Sequence, residues 1–140
     1  MLANNPYQKY KSTKYETASP EKLLLMLYEG GIRFAKRGKI AMEKKDIQEV
    51  NKSLQKVQQV INELMVTLNM DKGGEISQNL YSLYEYINRR LIEANIKKDP
   101  LILDEVINLL TELKEGWEEA SKKVNNNKRV LKGGGMNIEG

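Results

Sequence analysis

Cysteine and histidine are both missing from this chain of 140 residues. Without cysteine there is no disulfide framework, no thiol nucleophile and no zinc–thiolate site. Without histidine the commonest metal ligand and the commonest general base at neutral pH are absent too. Catalysis would have to run through Glu, Asp, Lys or Tyr, so the expectation is a protein that is not an enzyme and that uses no metal and no cofactor. Proline is scarce, with three in the whole sequence, which leaves long stretches free to be helical. No apolar run approaches the roughly 20 residues that cross a bilayer. The start, Met1 to Lys14, is polar and carries tyrosines where a signal peptide would be apolar. A soluble, cytoplasmic protein with no membrane insertion is expected.

What is present suits one folded domain: 40% hydrophobic and 30% charged residues. The formal charge of +4 is unevenly spread. Ser121 to Gly140 hold five Lys/Arg against one Glu, and the other 18 basic and 18 acidic residues cancel. A balanced body with a basic tail does not indicate a nucleic-acid-binding face. The alternative, a tail from Lys122 to Lys132 that grips nucleic acid, predicts affinity that collapses with salt.

Along the chain, residues 1–18 hold Pro6, Tyr7, Tyr10 and Tyr15 without a sustained period and read as a loosely attached arm with room for a short helix. Ser19-Pro20-Glu21-Lys22 then opens a helix, with Ser19 as N-cap, Pro20 at the first helical position and Glu21 at the positive end of the dipole. Leu24, Leu27, Gly31, Phe34, Gly38 and Ala41 recur at spacings of three and four, one helical face running to about Lys45. Gly31 and Gly38 on that face suggest close approach of a neighbouring helix. A second helix from near Asp46 carries Val50, Leu54, Val57, Ile61, Leu64 and Leu68. Asn69 to Gly74 break it. A third carries Leu80, Tyr84, Ile87, Leu91 and Ala94. Asp99-Pro100 separates it from a fourth, with Leu103, Val106, Leu110, Leu113, Trp117, Ala120 and Val124. The fold predicted is all-α: an antiparallel up-down-up-down four-helix bundle over 19–124, with the arm before it and a disordered basic tail at 125–140.

Enzyme signatures do not survive inspection. Lys72-Gly73-Gly74-Glu75 lacks the phosphate-loop pattern and reads as a turn. Glu112, Glu115, Glu118 and Glu119 flank the Leu113/Trp117 seam and read as a solvated face. Glu85, Arg89, Glu93 and Lys97 follow at i, i+4, a surface ion-pair ladder, or, in a functional reading, a guanidinium gripping a partner.

The excess is apolar. Leu25, Tyr28 and Ile32 form a second stripe on the first helix, with Leu23 and Met26 beside it. The second helix adds Val60, Met65 and Val66, and the third adds Tyr81, Tyr86 and Ile92. A bundle helix needs one apolar stripe. Either the arm covers the surplus to complete the fold, with Tyr7 and Tyr10 as the plug, or the surplus binds a partner; a weakly held cover is compatible with both. Self-association, as a weak homodimer or a structural bundle, is the rival use of the same stripe.

Asn5-Pro6-Tyr7 with Tyr10, Ala18-Ser19-Pro20 leading into Leu25-Met26-Leu27-Tyr28-Glu29-Gly30, Lys72-Gly73-Gly74-Glu75, the block from Leu83 through Arg89-Arg90-Leu91 and Glu93-Ala94-Asn95 to Asp99, and Trp117 together resemble the flagellar secretion chaperone FliS family. The resemblance covers about residues 5–124 and leaves the tail outside. It implies an antiparallel bundle that binds the disordered C-terminal segment of flagellin, blocks its premature polymerisation and delivers it to the flagellar export gate. It also implies an N-terminal arm that lies over part of the site until displaced. Placing the stripes on that picture, Leu25, Tyr28 and Ile32 line one groove, Met65, Tyr81 and Tyr86 extend the surface, and Tyr7 and Tyr10 are the removable cover.

Overall fold

Ser19 caps the first helix as its sequence predicts: its Oγ accepts the backbone N–H of Lys22 at 3.2 Å, and Pro20 follows at the first helical position. The computed structural model describes residues 19–134, and beyond Lys123 the backbone alone. It contains four helices: α1 Pro20–Glu43, α2 Ile47–Val66, α3 Met70–Lys97 and α4 Pro100–Gly134. Asp46 caps α2 by accepting Glu49 N–H at 3.2 Å, and Asn69 caps α3 by accepting Lys72 N–H at 3.0 Å. Each cap satisfies one of the donors that a helix start leaves orphaned. Left-handed Lys98 closes α3, and Pro100 opens α4 two residues later.

Short connections fold these rods into an antiparallel four-helix bundle. Helix α1 packs against α2 and α4, and α3 completes the square by packing against the same two. The core follows the stripes read in the sequence: Leu27, Val57, Ile61, Leu64, Ile87, Leu91, Leu103 and Leu110 are all essentially without exposed surface. Removing such a side chain to alanine costs about 2–5 kcal/mol. Close approach at the α1 glycines is observed. A Cβ at Gly31 would stand 3.2 Å from Leu110 and 3.3 Å from Val60, and one at Gly38 would stand 3.0 Å from Leu54. Both neighbours of α1 therefore pack directly onto its backbone.

Two boundaries differ from the sequence reading. The break expected across Asn69–Gly74 is narrower, because Asn69 nucleates a first turn of α3 at once. The irregularity is confined to Gly74, whose φ of 55° and ψ of −132° interrupt the helix. An L-residue resists that conformation, and glycine does not. At the other end α4 continues as backbone helix past Val124 to Gly134. No Pro or Gly lies between Val124 and Lys132 to stop it. Among the described residues no helix is long and apolar enough to cross a membrane.

Candidate partner-binding surface

Tyr28, expected to line a groove, is enclosed. It has no exposed surface, and its hydroxyl lies 2.5 Å from that of Tyr84 on α3. Trp117 Nε1 on α4 donates to the Tyr28 oxygen at 3.0 Å. Three helices thus meet at one buried polar chain. Burial pushes the Tyr28 phenol above its ordinary range, and burial together with Tyr28 pushes Tyr84 further. Both remain neutral hydrogen-bonding groups at physiological pH. The burial of Tyr28 has a steric cause. The glycine-lined centre of α1 lets α2 and α4 close in, so the buried arc widens to take in Leu23, Tyr28 and Ala35. Tyr28 belongs to the bundle's own core and not to a surface open to a partner.

Its two stripe neighbours stay at the surface. Leu25 is half-buried, and so is Ile32, whose inner side packs on the core. Ile32 forms the apolar part of a groove of about 410 Å³ between α1 and α4, rimmed by Glu29, Arg33, Lys36, Thr111 and Lys114. Lys114 bridges the rim, 3.9 Å from Glu29 and 3.2 Å from Glu118. An apolar floor with charged edges suits the apolar face of an amphipathic segment.

The α2–α3 seam carries a second surface. Asn88 Nδ2 donates to Asn62 Oδ1 at 3.0 Å and fixes the register of these helices. Met65 is three residues from Asn62, and Tyr81 is seven from Asn88, so both share that flank. Met65 is half-buried against the core, and Tyr81 is exposed. Ile92 and Ile96 continue the stripe, four and eight residues beyond Asn88, with 51% and 78% of their surface in water. Ile96 went unrecognised as a surface residue in the sequence, although the spacing 88, 92, 96 was available to find it.

Tyr86 does not join this surface. It lies on the opposite flank of α3, where its hydroxyl donates to Glu105 of α4 at 2.5 Å. Arg90 Nε donates to the other Glu105 oxygen at 2.7 Å, Arg90 also reaches Glu93 at 2.6 Å, and Lys97 reaches Glu93 at 2.7 Å. The ion-pair ladder therefore runs through Arg90 where the i, i+4 spacing had put Arg89; Arg89 is exposed and enters no ion pair among the described residues. The Tyr86 hydroxyl and Arg90 hold the Glu105 carboxyl below its usual range, and Lys97 foremost does the same for Glu93. This network ties α3 to α4. Tyr7 and Tyr10, the expected cover, lie outside the described residues.

Comparison with known proteins gives the family. The family model described as flagellar protein FliS matches residues 3–124. The chain belongs to the FliS family. It is 38% identical over 120 residues to the flagellar secretion chaperone FliS of Bacillus subtilis, covering 86% of this chain and 89% of that one. To FliSB of Pseudomonas aeruginosa it is 36% identical, covering 86% and 99%. With FliS of Salmonella typhimurium the identity is 37%, covering 76% and 80%. A crystal structure of a flagellar chaperone from bacteria shares the fold, with a TM-score of 0.71 at 21% identity, over 84% of this chain and 95% of that one. FliS is a family of flagellar export chaperones and not of enzymes, and a secretion chaperone acts on a protein partner.

Proposed function

We propose that this chain is a cytoplasmic chaperone that binds the disordered C-terminal segment of flagellin, keeps it from polymerising early and hands it to the flagellar export gate. The observation that carries the reading is the apolar surface the bundle leaves unburied. It comprises the Ile32 groove with half-buried Leu25 on α1, and the Tyr81–Ile92–Ile96 stripe beside Met65 on α3. A client that folds on binding loses some 2–5 kcal/mol to ordering and needs broad apolar contact to recover it. Two surfaces on different sides of the bundle suit a segment that wraps around it. Tyr7 and Tyr10 serve as the displaceable cover, and the free protein is a monomer or a weak homodimer.

Fluorescence titration of Trp117 with a flagellin C-terminal peptide tests this. Leu25→Asp and Ile32→Asp should each abolish saturation while the bundle stays helical, with Ile32→Asp melting lower because its inner side packs on the core. Peptide binding that persists in both folded variants contradicts the groove assignment. Obligate dimerisation in sedimentation, surviving deletion of residues 1–18, would favour the self-association reading.

A further inference from the structure

Phe34 packs half-buried against the core on the α1 side that faces α2, and three cations gather over its ring. The Arg33 guanidinium carbon stands 5.4 Å from the ring centroid, that of Arg37 5.7 Å, and Lys56 Nζ of α2 5.2 Å. All lie within the reach of a cation–π contact. One ring attracts each cation separately, but the three repel one another. Lys52, one turn from Lys56 on α2, adds a fourth charge. Lys56 is shifted downward by burial first, and then by Lys52 and Arg37, so these charges do act on each other.

Several half-buried cations elsewhere are paired with acids, whereas half-buried Lys56 is not. Lys39 pairs with Asp104, Arg90 with Glu93 and Glu105, and Lys114 with Glu118. Arg33, Arg37, Lys52 and Lys56 enter no ion pair among the described residues. Glu49 is the acid whose charge reaches Lys56, and its carboxylate accepts the Ser53 hydroxyl at 3.1 Å.

We propose that this cationic seam of α1 and α2 is a docking site for an acidic helical segment of a partner protein, adjoining the Ile32 groove assigned to the client and sharing Arg33 with its rim. Its geometry favours a helix. Arg33 and Arg37 on α1, and Lys52 and Lys56 on α2, are two i, i+4 pairs, each spanning about 6 Å along its axis. Carboxylates at i, i+4 on a partner helix have the same spacing, and guanidinium groups bind carboxylates bidentately. The Phe34 ring offers apolar contact between the charged pairs. Neither end of this chain supplies the acid. Residues 1–18 hold Lys9, Lys11 and Lys14 against Glu16, and residues 121–140 hold five basic residues against Glu139. An anionic bilayer is the poorer match, because its phosphates carry no fixed i, i+4 spacing for the two cation pairs to meet.

The test is an NMR amide titration of the full chain with a synthetic helical peptide carrying Glu at i, i+4, beside the same peptide with Gln, at low salt. The Glu peptide should give saturable shifts centred on Arg37 and Lys56, and the Gln peptide none. Arg37→Gln/Lys56→Gln should weaken binding by about tenfold or more. The same double variant should melt no lower than the parent, since it relieves repulsion. Lys52→Gln provides a second variant with the same expected direction. Unsaturable shifts spread over all basic residues would overturn the proposal. So would a double variant that melts lower yet binds the peptide equally. Engagement of the seam by phosphatidylglycerol vesicles or duplex DNA, with no response to the Glu peptide, would overturn the partner class.

Discussion

Tyr28 shows how one side chain can hold three helices together. Its phenol oxygen accepts from Trp117 and lies within hydrogen-bonding distance of Tyr84, so α1, α3 and α4 converge on a single buried atom. Tyr28→Phe leaves the Trp117 N–H and the Tyr84 hydroxyl without this partner. Leaving a buried polar group unsatisfied costs about 1–3 kcal/mol, and the urea midpoint should fall accordingly while Trp117 fluorescence changes in the native state. The two phenols also make stability depend on alkaline pH. Their folded-state pKa values are raised by burial. The stability they contribute is fully present below the ordinary tyrosine pKa of about 10 and is lost as pH rises above it. An ultraviolet titration should show Tyr28 and Tyr84 ionising only as the bundle unfolds. Sequence pattern did not reveal this role. Tyr28 sits at helical spacing from Leu25 and Ile32, and spacing alone cannot say how wide an arc the neighbouring helices cover.

Helix pairing explains both what was legible and what was not. The stripes of α1 to α4, the Ser19 cap and the need for small residues at Gly31 and Gly38 could all be read from the residues, because each depends on local spacing or on a single cap. The partner of Glu105 could not, since it depends on which helix flank meets which. Local i, i+4 spacing pointed to Arg89, while packing of α3 on α4 brought Arg90 and Tyr86 to Glu105. Two glycine substitutions should separate packing from propensity. Gly38→Val places extra carbons where a Cβ already lies 3.0 Å from Leu54; overpacking of this kind costs about 1–3 kcal/mol. Gly116 is exposed in α4 with no atom within 4 Å of an added Cβ. Gly116→Ala should stabilise by about 1 kcal/mol through helix propensity. Thermal melts of both variants check the opposite signs. The α3–α4 network adds an acid shoulder. Glu105 is held low in the folded state, so its contribution is present above the ordinary glutamate pKa of about 4.3 and lost as pH falls through the lower folded value. Glu105→Gln should flatten that loss in a melting series taken from neutral to acid pH.

At the scale of the whole molecule, four amphipathic helices close one core and still leave apolar residues in water: Tyr81, Ile92 and Ile96 along α3, and the Ile32 groove beside α4. The surplus was visible in the sequence as extra stripes, but its distribution was not. Tyr28 turned inward and Tyr86 was taken up by the ion-pair network, whereas Ile96 emerged on the exposed flank. Family membership and this leftover surface point the same way, to a bundle that completes its apolar packing with a guest chain. Calorimetric titration of the full protein with the flagellin C-terminal segment at several temperatures tests that claim most directly. Saturable binding with a negative heat-capacity change, diminished in folded Ile32→Asp and Ile92→Asp variants, is the predicted result. Binding with no heat-capacity change, or binding untouched by both substitutions, would contradict it.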